Sequence, residues 1–169
     1  MNATQTGETT LIIGLGNPIL GDDGVGWRVA ETVAARLQEN EAGRSSAEVD
    51  YLSLGGLSLM ERLMGYRRAI IVDAIQTRGG TLGQVHAFPL EALPDPSGGH
   101  TTAAHDTSLQ TALAVGRQMG AQLPQQIVVV AVETRPTFDF SQELSPAVEA
   151  AVPEAAQTVL DLLTQEEKP

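Results

Sequence analysis

The chain has 169 residues, 42% of them apolar and 18% charged, and its 21 acidic against 10 basic side chains give a net charge of −11. That is about one domain's worth of chain with enough material for a core, which excludes wholesale disorder, and an acidic surface repels phosphate backbones, which argues against nucleic acid as a partner. Cysteine is absent and histidine numbers three, so disulfides, thiolate metal sites, iron–sulfur clusters and a cysteine nucleophile are excluded together, and any metal site must use His, Asp and Glu.

Residues 1–10 are polar, carry Glu8 and lack a basic start. They predict a short disordered lead-in rather than a signal peptide, with a single domain over 11–169. The longest aliphatic run, Ile127 to Val132, is far too short to cross a bilayer, so a cytoplasmic protein without a membrane partner is expected. Leu11 to Leu15 predicts the first strand, stopped by the turn Gly16-Asn17-Pro18. From Gly24 the period changes. Val25, Val29, Val33 and Leu37 recur every four residues and predict a helix, with Asp22 or Asp23 placed to cap it. Glu48 to Leu54 predicts a second strand and Leu57 to Met64 a short helix. Ala69 to Ile75 is apolar throughout except for Asp73, which suits a strand buried on both faces and therefore interior. Gly83 to Leu90 predicts a fourth, more exposed strand with His86 facing outward, and Pro94 to Gly99 a loop. Ser108 to Met119 predicts a helix with Leu109, Leu113 and Val115 inward, and Gln126 to Glu133 the last strand. The final helix, Pro146 to Leu163, should kink or divide at Pro153. Alternating strands and helices with buried strands predict one α/β domain, sheet in the middle and helices on both faces.

In such sheets ligands bind beyond the carboxyl ends of the strands. The first strand is followed by Gly14-Leu15-Gly16-Asn17-Pro18-Ile19-Leu20-Gly21-Asp22-Asp23-Gly24-Val25-Gly26. A dinucleotide fingerprint needs a third Gly where Ile19 stands. A phosphate loop is half met by Gly16 and Gly21, but Asp22 and Asp23 replace its Lys and Ser/Thr. Two carboxylates invert the polarity of that loop and suit a cation. Both also read as acids at a helix start, which accounts for Asp22 and leaves Asp23 open between the two roles. Asp73 is costly to bury unless paired or bound to a metal, its simpler reading being a solvated strand end. His105 opens the later helix and can be aimed at the same end of the sheet, whereas His100 and His86 read as solvated. Asp23, Asp73 and His105 together would make a hard-to-borderline site for Ni, Zn, Mn or Co, with coordination positions left open. No G-x-S-x-G elbow and no H-E-x-x-H is present.

The pattern Gly-x-Gly-Asn-x-x-x-x-Asp-Asp-Gly-x-Gly after the first strand, Asp73-Ala74 ending the third, and His105 opening a later helix resemble the hydrogenase maturation endopeptidases. The similarity runs from about Leu11 to Leu163. It implies a single α/β domain with a twisted central sheet, here a mostly parallel sheet of about five strands with helices on both faces. It implies an endopeptidase that removes the C-terminal extension of a nickel–iron hydrogenase large-subunit precursor after nickel insertion. Asp23, at a position that is Glu in some members, together with Asp73 and His105, would be both its catalytic residues and its metal ligands. The nickel would be carried by the substrate rather than held permanently. Whether the metal or a carboxylate activates water stays open. This chain departs from the family in two loops. Leu54 and Leu57 flank Gly55-Gly56 where Asp and Thr or Ser are usual, and Ala131 to Pro136 replaces a segment with Gly and Pro close together. Two competing readings are a receiver-like phosphoacceptor domain, suggested by the acid pair, Asp73 and Arg135-Pro136, and a non-catalytic nickel chaperone with the same ligands.

Overall fold

Three stretches carry apolar residues at nearly every position and are buried along their length: β1 (Thr10–Leu15), β3 (Arg68–Ile75) and β5 (Gln126–Glu133). Such runs suit strands covered on both faces. The computed structural model describes residues 9–39, 47–93, 104–136 and 140–165, without the side chains of 104–108. In it these strands form the middle of a five-stranded sheet, and β2 (Ala47–Leu52) and β4 (Val85–Pro89) form its edges, in the order β2-β1-β3-β5-β4. β1 pairs in parallel with β2 and β3, and β3 with β5; β4 alone runs antiparallel, against β5. The sheet is therefore mostly parallel and β3 is its central strand, as the Ala69 to Ile75 run predicts.

Helices α1 (Val25–Glu39) and α4 (Pro146–Thr164) cover one face, and α2 (Gly56–Leu63) and α3 (Ala104–Gln118) the other. On the first face Val25, Val29 and Val33 meet Ile12, Ile70 and Val130. On the second, Leu59, Leu63 and Leu109 meet Leu11, Ile13 and Ile71. Each such side chain, fully closed, contributes about 1.5–3 kcal/mol. α1 lies unusually close to the sheet because two glycines face each other. A Cβ on Gly26 would overlap the carbonyl oxygens of Leu15 and Val72, and one on Gly14 would stand 2.5 Å from the Gly26 carbonyl oxygen.

Several boundaries and faces differ from expectation. Thr10, assigned to the lead-in, is the first residue of β1 and is buried. The rest of the lead-in through residue 8, and the Pro94 to Gly99 loop, lie outside the described residues. β2 stops at Leu52, and β4 begins at Val85 because Gly83, at φ +81°, belongs to a turn. α3 starts at Ala104, ahead of Ser108, and Val115 is exposed. Its inward face is Leu109, Ala112, Leu113 and Gly116, the spacing that one helical stripe requires. Gly116 lets α2 approach, since a Cβ there would stand 2.5 Å from the Met60 sulfur. α4 is not divided at Pro153. Pro153 and Glu149, whose carbonyl loses its partner, are both exposed, so water satisfies what the proline removes. Among the described residues no helix is long and apolar enough to cross a membrane.

Candidate active site

The chain leaves β1 at Gly16, whose φ of +129° only glycine adopts without strain. A Cβ there would also overlap the Asp23 carbonyl oxygen. The Gly16 N–H donates to the Leu52 carbonyl at 3.1 Å, and Ser53 Oγ donates to the Gly16 carbonyl at 2.7 Å, so the ends of β1 and β2 are joined. Trp27 adds a second strap, its Nε1–H donating to the same Leu52 carbonyl at 3.2 Å. Next comes a 3-10 turn, Gly21–Gly24, which packs against β3 and carries both acids of the pair. Neither caps α1. Asp23 turns back over the strand end, where its Oδ2 accepts the Asn17 N–H at 2.7 Å. Its Oδ1 has no hydrogen-bond partner among the described residues. Asp22 turns the opposite way and is only 4% exposed. Its Oδ1 accepts the N–H of Ser145 at 2.6 Å and its Oδ2 the Ser145 hydroxyl at 2.8 Å, so it ties the turn to the residue preceding α4. The same segment is held by Gly21 N–H on the Ser141 carbonyl at 2.7 Å and Ser141 N–H on the Ile19 carbonyl at 3.0 Å. The expected capping role of Asp22 is thus replaced by a long-range tie.

Asp73 is 5% exposed, near the carboxyl end of β3, and its Oδ1 accepts the N–H of Ala74 at 2.8 Å. Alternation with Ile71 and Ile75 places it on the α2/α3 face of the sheet. The ends of β1 and β3 are neighbours, so Asp23 and Asp73 share one end of the sheet. The start of α3 belongs to that end as well. Its far end joins the link to β5, where Gln125 N–H meets the Arg67 carbonyl at the amino end of β3. Fifteen helical residues run about 22 Å back from there. His105 is in the first turn of α3, with its side chain outside the described set; His100 lies wholly outside the described residues. Among the described residues no three His, Cys, Asp or Glu side chains stand within reach of one metal ion.

One polar cluster at this end was not anticipated. The Glu133 side chain closes β5 and is 3% exposed. Its Oε1 accepts the Thr77 N–H at 2.6 Å and its Oε2 the Thr77 hydroxyl at 2.9 Å. A Cβ on Gly80 would overlap the carboxylate, so the β3–β4 turn closes directly over it. His86 Nε2 lies 3.7 Å from Glu133 Oε2 and is shut off from solvent without a hydrogen-bond partner. The outward, solvated His86 expected from the sequence is therefore corrected: it pairs with Ala131 and faces the α2/α3 side. The signal was available, since Glu133 ends an apolar strand much as Asp73 interrupts one.

The family described as hydrogenase maturation protease matches residues 27–162, a span that includes Asp73 and His105 and begins just after Asp23. The hydrogenase expression/formation protein HoxM of Cupriavidus necator is 30% identical over 153 residues, covering 89% of this chain and 72% of HoxM. The solved [NiFe] hydrogenase maturation protease HybD of Thermococcus kodakarensis superposes with a TM-score of 0.67 at 23% identity, over 92% of this chain and 99% of that one. The hydrogenase maturating endopeptidase HybD of Escherichia coli gives 0.65 at 22% identity, over 94% of each chain. At those identities the two structures establish a shared fold. The sheet order, with β4 antiparallel at the edge, departs from the 2-1-3-4-5 order of the doubly wound sheet found in receiver domains, which removes that alternative.

Proposed function

The chain belongs to the hydrogenase maturation protease family and is a peptidase, and from that premise we propose that it removes the C-terminal extension of a nickel–iron hydrogenase large-subunit precursor after nickel insertion, recognising the precursor's nickel through Asp23, Asp73 and His105. The observation that supports this reading best is the placement of Asp73. An acid buried in the central strand is retained against a large desolvation cost, and it shares its end of the sheet with Asp23 and with the start of α3.

Two carboxylates and an imidazole form a donor set that suits nickel, and with no cysteine in the chain and no fourth ligand among the described residues they suit a metal that arrives already held by another protein. The nickel is then part of the substrate. This chain's own contribution is to pre-orient the acids. The Asn17 N–H holds Asp23 and the Ala74 N–H holds Asp73, so recognition does not require either carboxylate to be gathered from solution. The reaction is expected in the cytoplasm. A nickel chaperone would use the same donors without cutting, and an assay for cleavage separates the two.

The experiment mixes wild-type, Asp23→Ala and His105→Ala protein with nickel-loaded and nickel-free precursor and follows loss of the extension by mass. Wild-type protein should cut only the loaded precursor, nickel added to the protease alone should not substitute, and both variants should lose cleavage at ordinary concentrations. Equal cutting of nickel-free precursor would overturn metal recognition.

A further inference from the structure

Hydrolysis of an amide requires a group that takes a proton from the attacking water and returns one to the departing nitrogen. A captured metal can acidify the water but cannot return a proton to the nitrogen, and the chain has no cysteine or serine elbow. Asp73, Ala131 and His86 stand in register on three adjacent strands, β3, β5 and β4, all on the α2/α3 face. Neighbouring strands are about 4.8 Å apart. The backbones of Asp73 and His86 are therefore about 10 Å apart by that spacing, with Ala131 on the strand between them. A carboxylate and an imidazole thus stand at one level of the sheet on one face, the imidazole partly exposed.

We propose that His86, oriented by Glu133, is the proton-transfer group of this peptidase; the proposal rests on the function proposed above. Glu133 is placed for the task. Thr77 fixes both of its oxygens, Gly80 closes over it, and its Oε2 faces Nε2 of His86 at 3.7 Å. Contacts of this kind are commonly long before substrate closes a site. With its proton on Nε2, toward Glu133, the imidazole would carry its lone pair on Nδ1. The side chain is 32% exposed although Nε2 is sealed, so the rest of the ring is the open part. In the reaction the water oxygen bonds to the scissile carbonyl carbon as Nδ1 takes a water proton. The carbon–nitrogen bond then breaks and His86 returns that proton to the nitrogen. One water is consumed, leaving a carboxyl group on the large subunit and an amine on the released extension. Glu133 touches no reacting atom and is a positioning residue.

The test is a single-turnover assay with nickel-loaded precursor and excess protease, reading the rate at saturation and the protease concentration that gives half of it. His86→Gln and His86→Asn should lower the saturating rate by about 10²–10⁴-fold with the half-saturating concentration unchanged. Glu133→Gln, which can still bond Thr77, should lower the saturating rate by a smaller factor, again without moving half-saturation. Circular dichroism checks that each variant folds, and two His86 replacements guard against one that does not. Wild-type rates in both His86 variants, or a loss confined to half-saturation, would overturn the proposal while leaving the peptidase reading in place. Failure of the wild-type protein to cut nickel-loaded precursor would overturn the reading beneath it.

Discussion

Asp22→Ala removes a tie between distant segments rather than a helix cap, and the two roles predict different losses. Both Asp22 oxygens are engaged, one by the N–H and one by the hydroxyl of Ser145, and the side chain is 4% exposed. A hydrogen bond to a charged group contributes about 1.5–3 kcal/mol, so two set an upper range of about 3–6 kcal/mol. Ser145 is half-buried, and water reaching its freed N–H recovers part of this, which brings the expected loss to about 2–4 kcal/mol. In a chain of this size each kcal/mol moves Tm by about 2–4 °C, so Asp22→Ala should lower it by about 4–16 °C. Loss of a cap alone would cost about 0.5–2 kcal/mol. Asp22→Asn keeps one acceptor for the N–H and can donate to the hydroxyl, so it should fall between wild type and alanine. Thermal unfolding followed by circular dichroism gives the shifts. A double-mutant cycle with Ser145→Ala should show coupling of about 0.5–3 kcal/mol, as contacting groups do. A Tm change of only a degree or so for Asp22→Ala, or additivity with Ser145→Ala, would refute the tie.

Gly26→Ala places a methyl group against two strand carbonyls that cannot yield separately. Overpacking of this kind costs about 1–3 kcal/mol or more, so a clear drop in the urea midpoint is expected, where an ordinary glycine-to-alanine change in a helix would raise it. The two tyrosines should titrate late. Burial, then Glu31 and Asp50, raise Tyr51 above 10.0, and burial, then the hydrogen bond to Glu48, raise Tyr66 above the same value. A raised phenol contributes stability in full below the unfolded value and loses it as pH rises through the folded one. Ultraviolet titration should show phenolate appearing later than in the unfolded chain, with the denaturation midpoint falling above pH 10.

What the sequence made legible was whatever burial enforces locally. Ile-Val-Val-Val in β5 and Ala-Ile-Ile-Val in β3 are covered on both faces, as short β-branched runs between turn signals require. Asp73 stood out for the same reason, as a charge where the run allowed none. The direction of β4 was not legible, because a half-buried edge strand alternates alike whether it runs parallel or antiparallel. Nor was the partner of Asp22, since nothing within a turn's length of the acid pair points to Ser145. Val115 was placed inward on apolarity alone, although the stripe through Leu109, Ala112 and Gly116 already excluded it. His86 reads as outward because its strand alternates, yet Phe88, two residues on, packs against the α2/α3 core and shares its face.

The tie between Asp22 and Ser145 also fixes an order of events in the life of the chain, because its ends are 123 positions apart. In a chain emerging from a ribosome at about 5–20 residues per second, all five strands, which end at Glu133, come out before Ser141 and Ser145 do. The sheet can assemble while the turn that carries Asp23 still lacks its anchor. The turn that carries Asp23 is then anchored only when the segment around Ser145 joins the assembled sheet.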